Sequence, residues 1–589
     1  MRVIATAGHV DHGKSTLIRL LTGMEPDRWS QERSRGMTID LGFAWTELAG
    51  RTLAFVDVPG HERFVPNMLA GIGPVPAVLF VVAADEGWQQ QSTEHLDALH
   101  ALGVRHGLLA VTRCDLADPA EATEQAQQRL ADSRLGKLPV VHVSGRTGAG
   151  LGELEQALVA LADGLPQPDA GADVRLWADR AFTIKGAGTV VTGTLAAGTL
   201  RTGDKLLLHP GGRQVSVRGL QALGTDRGEV SAVARVAVNL RGVPLEEVRR
   251  GNALLTPSRW LSTGVLDVRL GDATAEDLPR HLTLHIGSAA VPARVRPLGA
   301  DTARLSLRSE LPLRIGDVAL LRDPGSHRIS AGVIVLDVRP PQLRRRGAAR
   351  ERARTLAEMS GRADGSAELR RRRLVRRDEL GAMGAVVPDD AAEGGGWLLD
   401  PAHRDELAAR LVDLLDRHRQ EEPLADGMPA EAARRELGLP AAALLETVLR
   451  TETARAITTG SGRLRLGTAQ WPPEVAAALD RLRRKLGEAP FDAPTADELA
   501  ELGLGGKQLA AAVRAGELLR LAPSLVLLPG ADRRALDMLA ELPAPFTLSQ
   551  ARKALGTSRR VAVPLLEHLA ARNHTEHLPD GTHRLRASE

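Results

Sequence analysis

The chain has 589 residues, and at about 150 residues per domain this length predicts roughly four domains. Apolar residues make up 43% of the sequence and charged residues 25%, which excludes a wholly disordered or collagen-like chain. The formal net charge of +3 is too small to identify a partner by itself. The single cysteine, Cys114, excludes an internal disulfide framework and a cysteine-rich zinc site, and it fits a reducing cytoplasm.

The longest apolar run covers residues 74–84, about half of the roughly 20 residues that a membrane-spanning helix needs. The first residues lack the apolar region and cleavage site of a signal peptide. We therefore expect a cytoplasmic protein with no membrane partner.

Residues 1–168 alternate short apolar or β-branched runs with helical patterns. The runs cover residues 3–7, 52–58, 75–82, 107–112 and 139–144. Alternation at this spacing predicts an α/β domain, with a mostly parallel sheet that helices cover on both faces. After a linker rich in Pro, Asp and Gly, short strands broken by Gly and Pro predict two β-barrel domains, over residues 174–256 and 257–341.

The rest of the chain is helical with short hairpins, and a triplet ending in Leu-Gly recurs in it. The triplets are residues 379–381, 436–438, 501–503 and 554–556. In the last three, a helix is expected to end at the Leu, the Gly to take the left-handed conformation, and a second helix and a hairpin to follow. This pattern predicts four winged-helix domains, over residues 345–418, 419–470, 471–531 and 532–589. In the first of them, no clean second helix follows Gly381.

A phosphate-binding loop is predicted at residues 8–15, where the sequence fits G-x-x-x-x-G-K-[ST] between a strand and a helix. Backbone N–H groups and the helix N-terminus suit the α- and β-phosphates, and Lys14 can reach the β- and γ-phosphates. The hydroxyl of Ser15 is a ligand for Mg2+. The predicted nucleotide-binding residues of this loop are Gly8, His9, Val10, Asp11, His12, Gly13, Lys14, Ser15 and Thr16.

Two further segments predict a sensor for the third phosphate of the nucleotide. Asp57 ends a predicted strand, so its carboxylate can bind Mg2+ through water while the Gly60 N–H faces the γ-phosphate. Thr38 carries a hydroxyl suited to complete the Mg2+ shell when its loop folds over GTP, and hydrolysis would release it.

Guanine selectivity is predicted at the ends of the next strands. Asp115 can accept hydrogen bonds from the N1–H and the exocyclic amine of guanine, donors that adenine lacks. The segment reads Thr112-Arg113-Cys114-Asp115 in place of the usual Asn-Lys-x-Asp of GTPases. Arg113 can still lay a planar cation over the base, although a general shortage of lysine also explains it. Backbone support for the base is expected from Ser144, Gly145 and Arg146.

With the segments Gly-His-Val-Asp-His-Gly-Lys-Ser, Arg-Gly-Met-Thr and Asp-Val-Pro-Gly-His-Glu, the first 165 residues resemble a translational GTPase. The resemblance implies that His61 positions the attacking water on the ribosome and that Val10 shields it beforehand. Hydrolysis of GTP needs positioning and charge stabilisation rather than covalent chemistry from the protein.

The barrels and the winged-helix array narrow the resemblance. Residues 179–193 and 201–204 are similar to the second domain of elongation factors, and the whole chain resembles the bacterial selenocysteine-specific elongation factor family (SelB). That family implies a pocket in which Arg180 and Arg235 face the selenolate of selenocysteine and Asp179 orients an arginine. It also implies an RNA-contacting turn in the last module, at Thr557, Ser558, Arg559 and Arg560.

The expected function is that of a GTP- and Mg2+-dependent GTPase which delivers selenocysteinyl-tRNA to the ribosome at UGA codons. The last module is expected to bind a selenocysteine insertion hairpin in the mRNA, and the protein to act as a monomer. Two alternatives stay open: a general aminoacyl-tRNA carrier or initiation GTPase, and a GTP-gated DNA-binding regulator built on winged helices.

Overall fold

The structure is a computed structural model that describes residues 1–25, 40–59, 65–73, 75–186, 188–467 and 471–586. The chain divides into two compact units, one of residues 1–368 and 376–388 and the other of residues 369–375 and 389–589. Among the described residues, no helix has both the length and the apolar character that crossing a bilayer requires.

The first domain is a six-stranded sheet with helices on both faces. Its strands are β1 (Arg2–Ala7), β2 (Gly42–Leu48), β3 (Arg51–Asp57), β4 (Ala77–Ala83), β5 (His106–Thr112) and β6 (Val140–His142). Its helices are α1 (Lys14–Thr22), α2 (Val65–Ile72), α3 (Gln90–Ala101), α4 (Ala120–Ala131) and α5 (Leu151–Gly164). The strand order is β2-β3-β1-β4-β5-β6, in which only β2 runs antiparallel to its neighbour.

Every residue of the central strand β4 is buried, as its continuous apolar sequence requires when both faces of a parallel sheet are covered. The five predicted strands are present at β1, β3, β4, β5 and β6. The sequence analysis did not predict strand β2. This strand comes just before its antiparallel partner β3 in the chain, and its sequence mixes polar with apolar residues.

Two β-barrel domains follow. The first contains β7 (Arg175–Trp177), β8 (Arg180–Ile184), β9 (Gly188–Leu195), β10 (Thr199–Arg201), β11 (Lys205–His209), β12 (Arg213–Ala222), β13 (Thr225–Arg227), β14 (Glu229–Ser231), β15 (Ala234–Arg241) and β16 (Ala253–Leu255). Alternate residues of β15 are buried, as a strand with one face on a core requires.

The second β-barrel domain is a closed barrel, in the order β17-β20-β19-β18-β21-β22. Its strands are β17 (Leu261–Leu270), β18 (His281–Ile286), β19 (Ala289–Pro297), β20 (Thr302–Leu313), β21 (Val318–Arg322) and β22 (Ile329–Asp337). Short 3-10 helices span Leu245–Glu247 and Ala275–Asp277.

The remainder of the chain forms small helical modules with hairpins. The helices are α6 (Ala348–Glu358), α7 (Gly365–Arg372), α8 (Arg377–Ala382), α9 (Pro401–Glu421), α10 (Ala430–Glu436), α11 (Ala442–Leu449), α12 (Pro473–Glu488), α13 (Ala496–Glu501), α14 (Gly506–Arg514), α15 (Ala531–Ala540), α16 (Leu548–Ala554) and α17 (Arg559–Ala571). The strands are β23 (Leu374–Arg376), β24 (Ala392–Gly394), β25 (Trp397–Leu399), β26 (Met428–Pro429), β27 (Ile457–Gly460), β28 (Arg463–Leu466), β29 (Leu519–Ala522), β30 (Leu525–Leu527), β31 (Phe546–Thr547), β32 (Thr575–His577) and β33 (Thr582–Leu585). A 3-10 helix spans Glu452–Ala454.

The turn between the two helices of the later modules follows the predicted chemistry. Gly438, Gly503 and Gly556 have φ values of 70°, 75° and 58°, which is the left-handed conformation that ends a helix. In the third and fourth modules, Thr495 with Glu498 and Thr547 with Gln550 form capping boxes at the start of α13 and α16. The first module differs from the others, because no helix lies between α8 and β24 in this fully described stretch.

The predicted boundary at residues 418/419 needs correction, because it cuts through α9. Leu407, Leu411 and Leu415 of this helix pack in one core with residues of α11 and β28. The same core contains Leu399, with Ala392 and Trp397 packed against it, so no boundary falls within this helix.

A buried ion network ties α6 to the closed barrel. Asp267 is fully buried and accepts hydrogen bonds from Arg304 at 2.7 and 2.9 Å and from Arg352 at 2.7 Å. Arg352, which lies on α6, also donates to the buried Asp337 at 2.6 Å. The guanidinium of Arg269 donates to the carbonyl groups of Leu356 and Met359 at the end of α6. The ion pairs of Arg352 and the hydrogen bonds of Arg269 fix α6 against the barrel.

Replacing Arg352 with Ala is expected to destabilise the first unit by about 3–5 kcal/mol, because two buried carboxylates lose a charged partner. The matched control is Arg345→Ala, just before the same helix, where the pair with Glu351 is 77% and 67% exposed. Its removal should cost less than about 1 kcal/mol. Thermal unfolding of both variants measures the difference, and equal shifts in Tm would contradict the prediction.

Candidate functional site

The phosphate-binding loop leaves β1 beside β4 and is held very close to it. Gly8 has a φ of 128°, and a Cβ at this position would lie 2.1 Å from the carbonyl oxygen of Val81. Gly13 is also left-handed, with a φ of 86°. Only glycine fits such a contact, so these residues shape a loop whose N–H groups can surround a phosphate.

Lys14 is buried at the start of α1, where its ammonium donates to the carbonyl oxygens of Gly8 and His9 at 2.9 and 2.7 Å. These bonds keep the ammonium over the mouth of the loop. The neighbouring Thr16 is exposed on the first turn of α1.

His12 is fully buried below the loop, and burial followed by the neighbouring His9 lowers the pKa of His12 to about 4. Its Nδ1 accepts the N–H of Ala83 at 3.2 Å, so the ring is neutral at pH 7 and ties the loop to β4. Burial also lowers the pKa of His9.

Side chains of α3 hold the loop from the other side, where sequence reasoning found no site. The N–H of Gly8 donates to Nδ1 of His95 at 3.2 Å, and the N–H of Val10 donates to Gln91 at 3.1 Å. These two residues lie more than 80 positions from the loop, and no motif marks them.

An oxygen cluster suited to Mg2+ lies at the end of β3. Asp57 is fully buried and accepts hydrogen bonds from Ser15 at 2.6 Å and from Thr6 at 2.7 Å. The hydroxyl of Ser15 and the carboxylate of Asp57 are hard oxygen donors of the kind that Mg2+ prefers, so these two residues could hold the ion. The predicted residues Thr38, Gly60 and His61 lie outside the described residues.

The predicted guanine site is assembled at the ends of β5 and β6. The hydroxyl of Ser144 donates to Asp115 at 2.6 Å and fixes the carboxylate. The same hydroxyl accepts the N–H of Arg146 at 3.3 Å. A Cβ on Gly145 would lie 3.3 Å from Thr16, so this loop runs directly beside the start of α1.

Thr112 and Arg113 connect the end of β5 to the phosphate loop. The buried Thr112 donates to the carbonyl of His12 at 2.7 Å. Arg113 forms ion pairs with Asp85 at 3.0 Å and Glu86 at 2.6 Å, and it donates to the carbonyl of Asp11. The Arg113 guanidinium therefore joins the phosphate loop to the loop that follows β4. The sequence analysis did not predict this role, because Asp85 and Glu86 belong to no recognised motif.

A cationic cleft lies between the first domain and the first barrel. Asp179, only 4% exposed, accepts two hydrogen bonds from Arg235, one of them at 2.7 Å, and one from Thr192 at 2.8 Å. Arg180 pairs with Asp40 at 2.8 Å and donates to the carbonyl of Leu41. The cleft has a volume of about 180 Å³, and both arginines line it.

Arg250 lies at the edge of this cluster and was not found by sequence reasoning. It donates to the side-chain oxygen of Asn67 on α2. Arg250 is exposed, and its guanidinium interacts electrostatically with the carboxylates of Asp40 and Asp179. Arg180, Arg235 and Arg250 thus lie near the carboxylates of Asp40 and Asp179.

In the last module, the predicted RNA-contacting turn has two kinds of residue. Thr557 is buried and donates to the carbonyl of Phe491 at 2.5 Å, and Arg560 donates to the carbonyls of Ala493 and Pro494. These two side chains join the third and fourth modules. Ser558, Arg559 and Arg560 are all exposed where α17 begins.

Comparison with known proteins extends these observations. Residues 1–163 match the family described as "Elongation factor Tu GTP binding domain", and residues 188–255 match "Elongation factor Tu domain 2". An "Elongation factor Tu 2" of Streptomyces avermitilis is 32% identical over 373 residues, which cover 56% of this chain and 95% of that protein. The chain belongs to the elongation factor Tu family of translational GTPases.

Within this family, the similarity extends to a more specific group. Residues 537–584 match "Elongation factor SelB, winged helix". A "Selenocysteine-specific elongation factor" of Desulfomicrobium baculatum is 39% identical over 376 residues, 61% of this chain and 59% of that protein. The chain thus spans somewhat over half the length of this curated relative. A crystal structure of a "bacterial selenocysteine-specific elongation factor EF-Sec" has 25% identity and a TM-score of 0.73, and the match covers 100% of both chains.

Replacing Asp115 with Ala is expected to lower GTP affinity about 100-fold or more, because guanine loses two charge-assisted hydrogen bonds. The control is Asp118→Ala, three residues further on, where the carboxylate accepts the N–H of Ala120 at 3.0 Å. Isothermal titration calorimetry with GTP and ATP measures both variants. Unchanged preference for GTP over ATP in Asp115→Ala would contradict the assignment.

Proposed function

We propose that this protein is a GTP-dependent translation elongation factor that delivers selenocysteinyl-tRNA to the ribosome at UGA codons. We further propose that it acts as a monomer in the cytoplasm and is tethered to a selenocysteine insertion hairpin in the mRNA. The observation that carries the proposal is the convergence of Arg180 and Arg235 in a cleft beside the nucleotide-binding domain. Two similar proteins are named as selenocysteine-specific elongation factors, which agrees with this function.

The nucleotide chemistry follows from the loop and its neighbours. Lys14 and the N–H groups of the loop would bind the phosphates, and Asp115 would bind guanine. Ser15 and Asp57, with Thr38, would hold Mg2+, which neutralises charge on the phosphates. His61 would position the attacking water. Because Asp57 ends β3 and β2 pairs with β3 at this point, with Gly42 opposite Asp57, the nucleotide site is directly connected to the strand that leads to the cationic cleft.

The cleft distinguishes amino acids by charge. A selenol is largely ionised at neutral pH, whereas a serine hydroxyl is neutral. The guanidinium groups of Arg180 and Arg235 attract the selenolate and gain little from the hydroxyl, because two charges interact strongly in a site partly shielded from water. Asp179 holds Arg235 in place through two hydrogen bonds, so its guanidinium needs no reorganisation when the anion enters.

The amino-acid preference is tested with the GTP-analogue form of the full chain and one tRNA body charged with selenocysteine or serine. We expect at least about tenfold tighter binding of selenocysteinyl-tRNA, equivalent to about 1.4 kcal/mol, and loss of that binding with GDP. Equal affinities would favour a general aminoacyl-tRNA carrier, and tight binding to duplex DNA in place of tRNA would favour a DNA regulator. Either result would overturn the proposal.

The mRNA hairpin would bind at the start of α17. Between residues 545 and 589, seven Lys or Arg side chains outnumber four acidic ones. The exposed Ser558 and Arg559 lie at a helix N-terminus, where N–H groups and a cation can bind phosphate. Thr557 and Arg560 would support the turn from the side of the third module.

Replacing Arg559 with Ala is expected to weaken hairpin binding and to reduce the slope of log affinity against log salt by about 1, because one phosphate contact is lost. The control is Arg533→Ala, which removes the same charge from the exposed first turn of α15 in the same module. Fluorescence anisotropy at several salt concentrations measures both. If the two variants behave alike, the proposed phosphate contact is wrong.

A further inference from the structure

The two arginines of the cleft share a platform that belongs to the nucleotide-binding domain. The guanidinium carbon of Arg235 lies 3.8 Å from the ring centroid of Phe43, and that of Arg180 lies 5.4 Å from it. Phe43 is the second residue of β2, and its ring lines the cleft. Cations over an aromatic face are attracted by the ring quadrupole, more strongly where water is excluded.

The residues that precede Phe43 hold one of the same arginines. Asp40 pairs with Arg180 at 2.8 Å, and the carbonyl of Leu41 accepts a hydrogen bond from it. The barrel by itself holds Arg235 through Asp179. The geometry of the cationic pair is therefore set jointly by two domains, and the contribution of the first domain comes from residues 40–43.

The register of β2 links this platform to the nucleotide site. Gly42 lies opposite Asp57 and Phe43 opposite Val56 in the antiparallel pair of β2 and β3. Asp57 is the carboxylate bonded to Ser15 of the phosphate loop. Phe43 and Asp57 therefore lie at adjacent positions of the β2–β3 pair.

We propose that Phe43 is a positioning residue for selectivity, whose ring holds Arg180 and Arg235 in the arrangement that accepts an anionic amino-acid side chain. The inference rests on the proposed function, since it concerns the same cleft. It assigns part of the amino-acid selectivity to the GTPase domain, whereas a pocket made by the barrel alone would be independent of that domain.

The test compares Phe43→Leu, which removes the ring and keeps an apolar side chain, with Phe43→Tyr, which keeps the ring face. Affinities of the full chain for selenocysteinyl-tRNA and seryl-tRNA are measured with a GTP analogue, and GTP affinity is measured in parallel. In Phe43→Leu we expect selenocysteinyl-tRNA to bind about tenfold more weakly, with seryl-tRNA and GTP binding unchanged. Phe43→Tyr should keep the wild-type ratio.

Any other result would contradict either the role of Phe43 or the proposed function on which that role rests. An unchanged ratio in Phe43→Leu would overturn the platform role. An equal fall for both tRNAs, or a loss of the ratio in Phe43→Tyr as well, would indicate a general structural role in place of selectivity. If the wild-type protein itself shows no preference for selenocysteinyl-tRNA, the proposed function fails, which is a separate result from failure of the platform.

Discussion

The nucleotide site depends on the close contact between the turn after β1 and the backbone of β4. At Gly8 a side chain of any size would overlap the carbonyl of Val81, so the loop can lie against β4 only with glycine there. Because β1 lies between β3 and β4 in the sheet, this contact fixes the loop where the carboxyl ends of the strands meet. Asp57 from β3 and Thr112 from β5 then reach it within hydrogen-bonding distance.

Arginine and carboxylate side chains pair at the junction of the first domain and the first barrel. A buried arginine without partners would be costly, and one fully matched by carboxylates would have little attraction left for an anion. Asp179 and Asp40 each hold one arginine in a fixed orientation, and Arg250 adds a third cation to the cluster. Orientation and net charge are thus provided by different residues.

The winged-helix modules use arginine for packing as well as for surface charge. Arg560 donates to backbone carbonyls of residues 493 and 494, and Arg352 is buried between two carboxylates beside the closed barrel. Some of the basic residues therefore bond to the protein itself. Since guanidinium has five donors in a rigid plane, it can bond several carbonyls at once, which an ammonium does less well.

The sequence by itself determined five of the six strands of the first domain, the phosphate loop and the left-handed glycines of the modules. These features depend on local periodicity and backbone conformation, which neighbouring residues encode. The predicted boundary at residues 418/419 was wrong. Amphipathic periodicity shows that a helix has a buried face, but it does not show which module that face packs against. Only the tertiary structure decided that Phe43 and Asp40 meet arginines about 140 to 190 positions away and that His95 supports the phosphate loop. Such contacts arise when separate elements pack together, and no spacing along the chain records them.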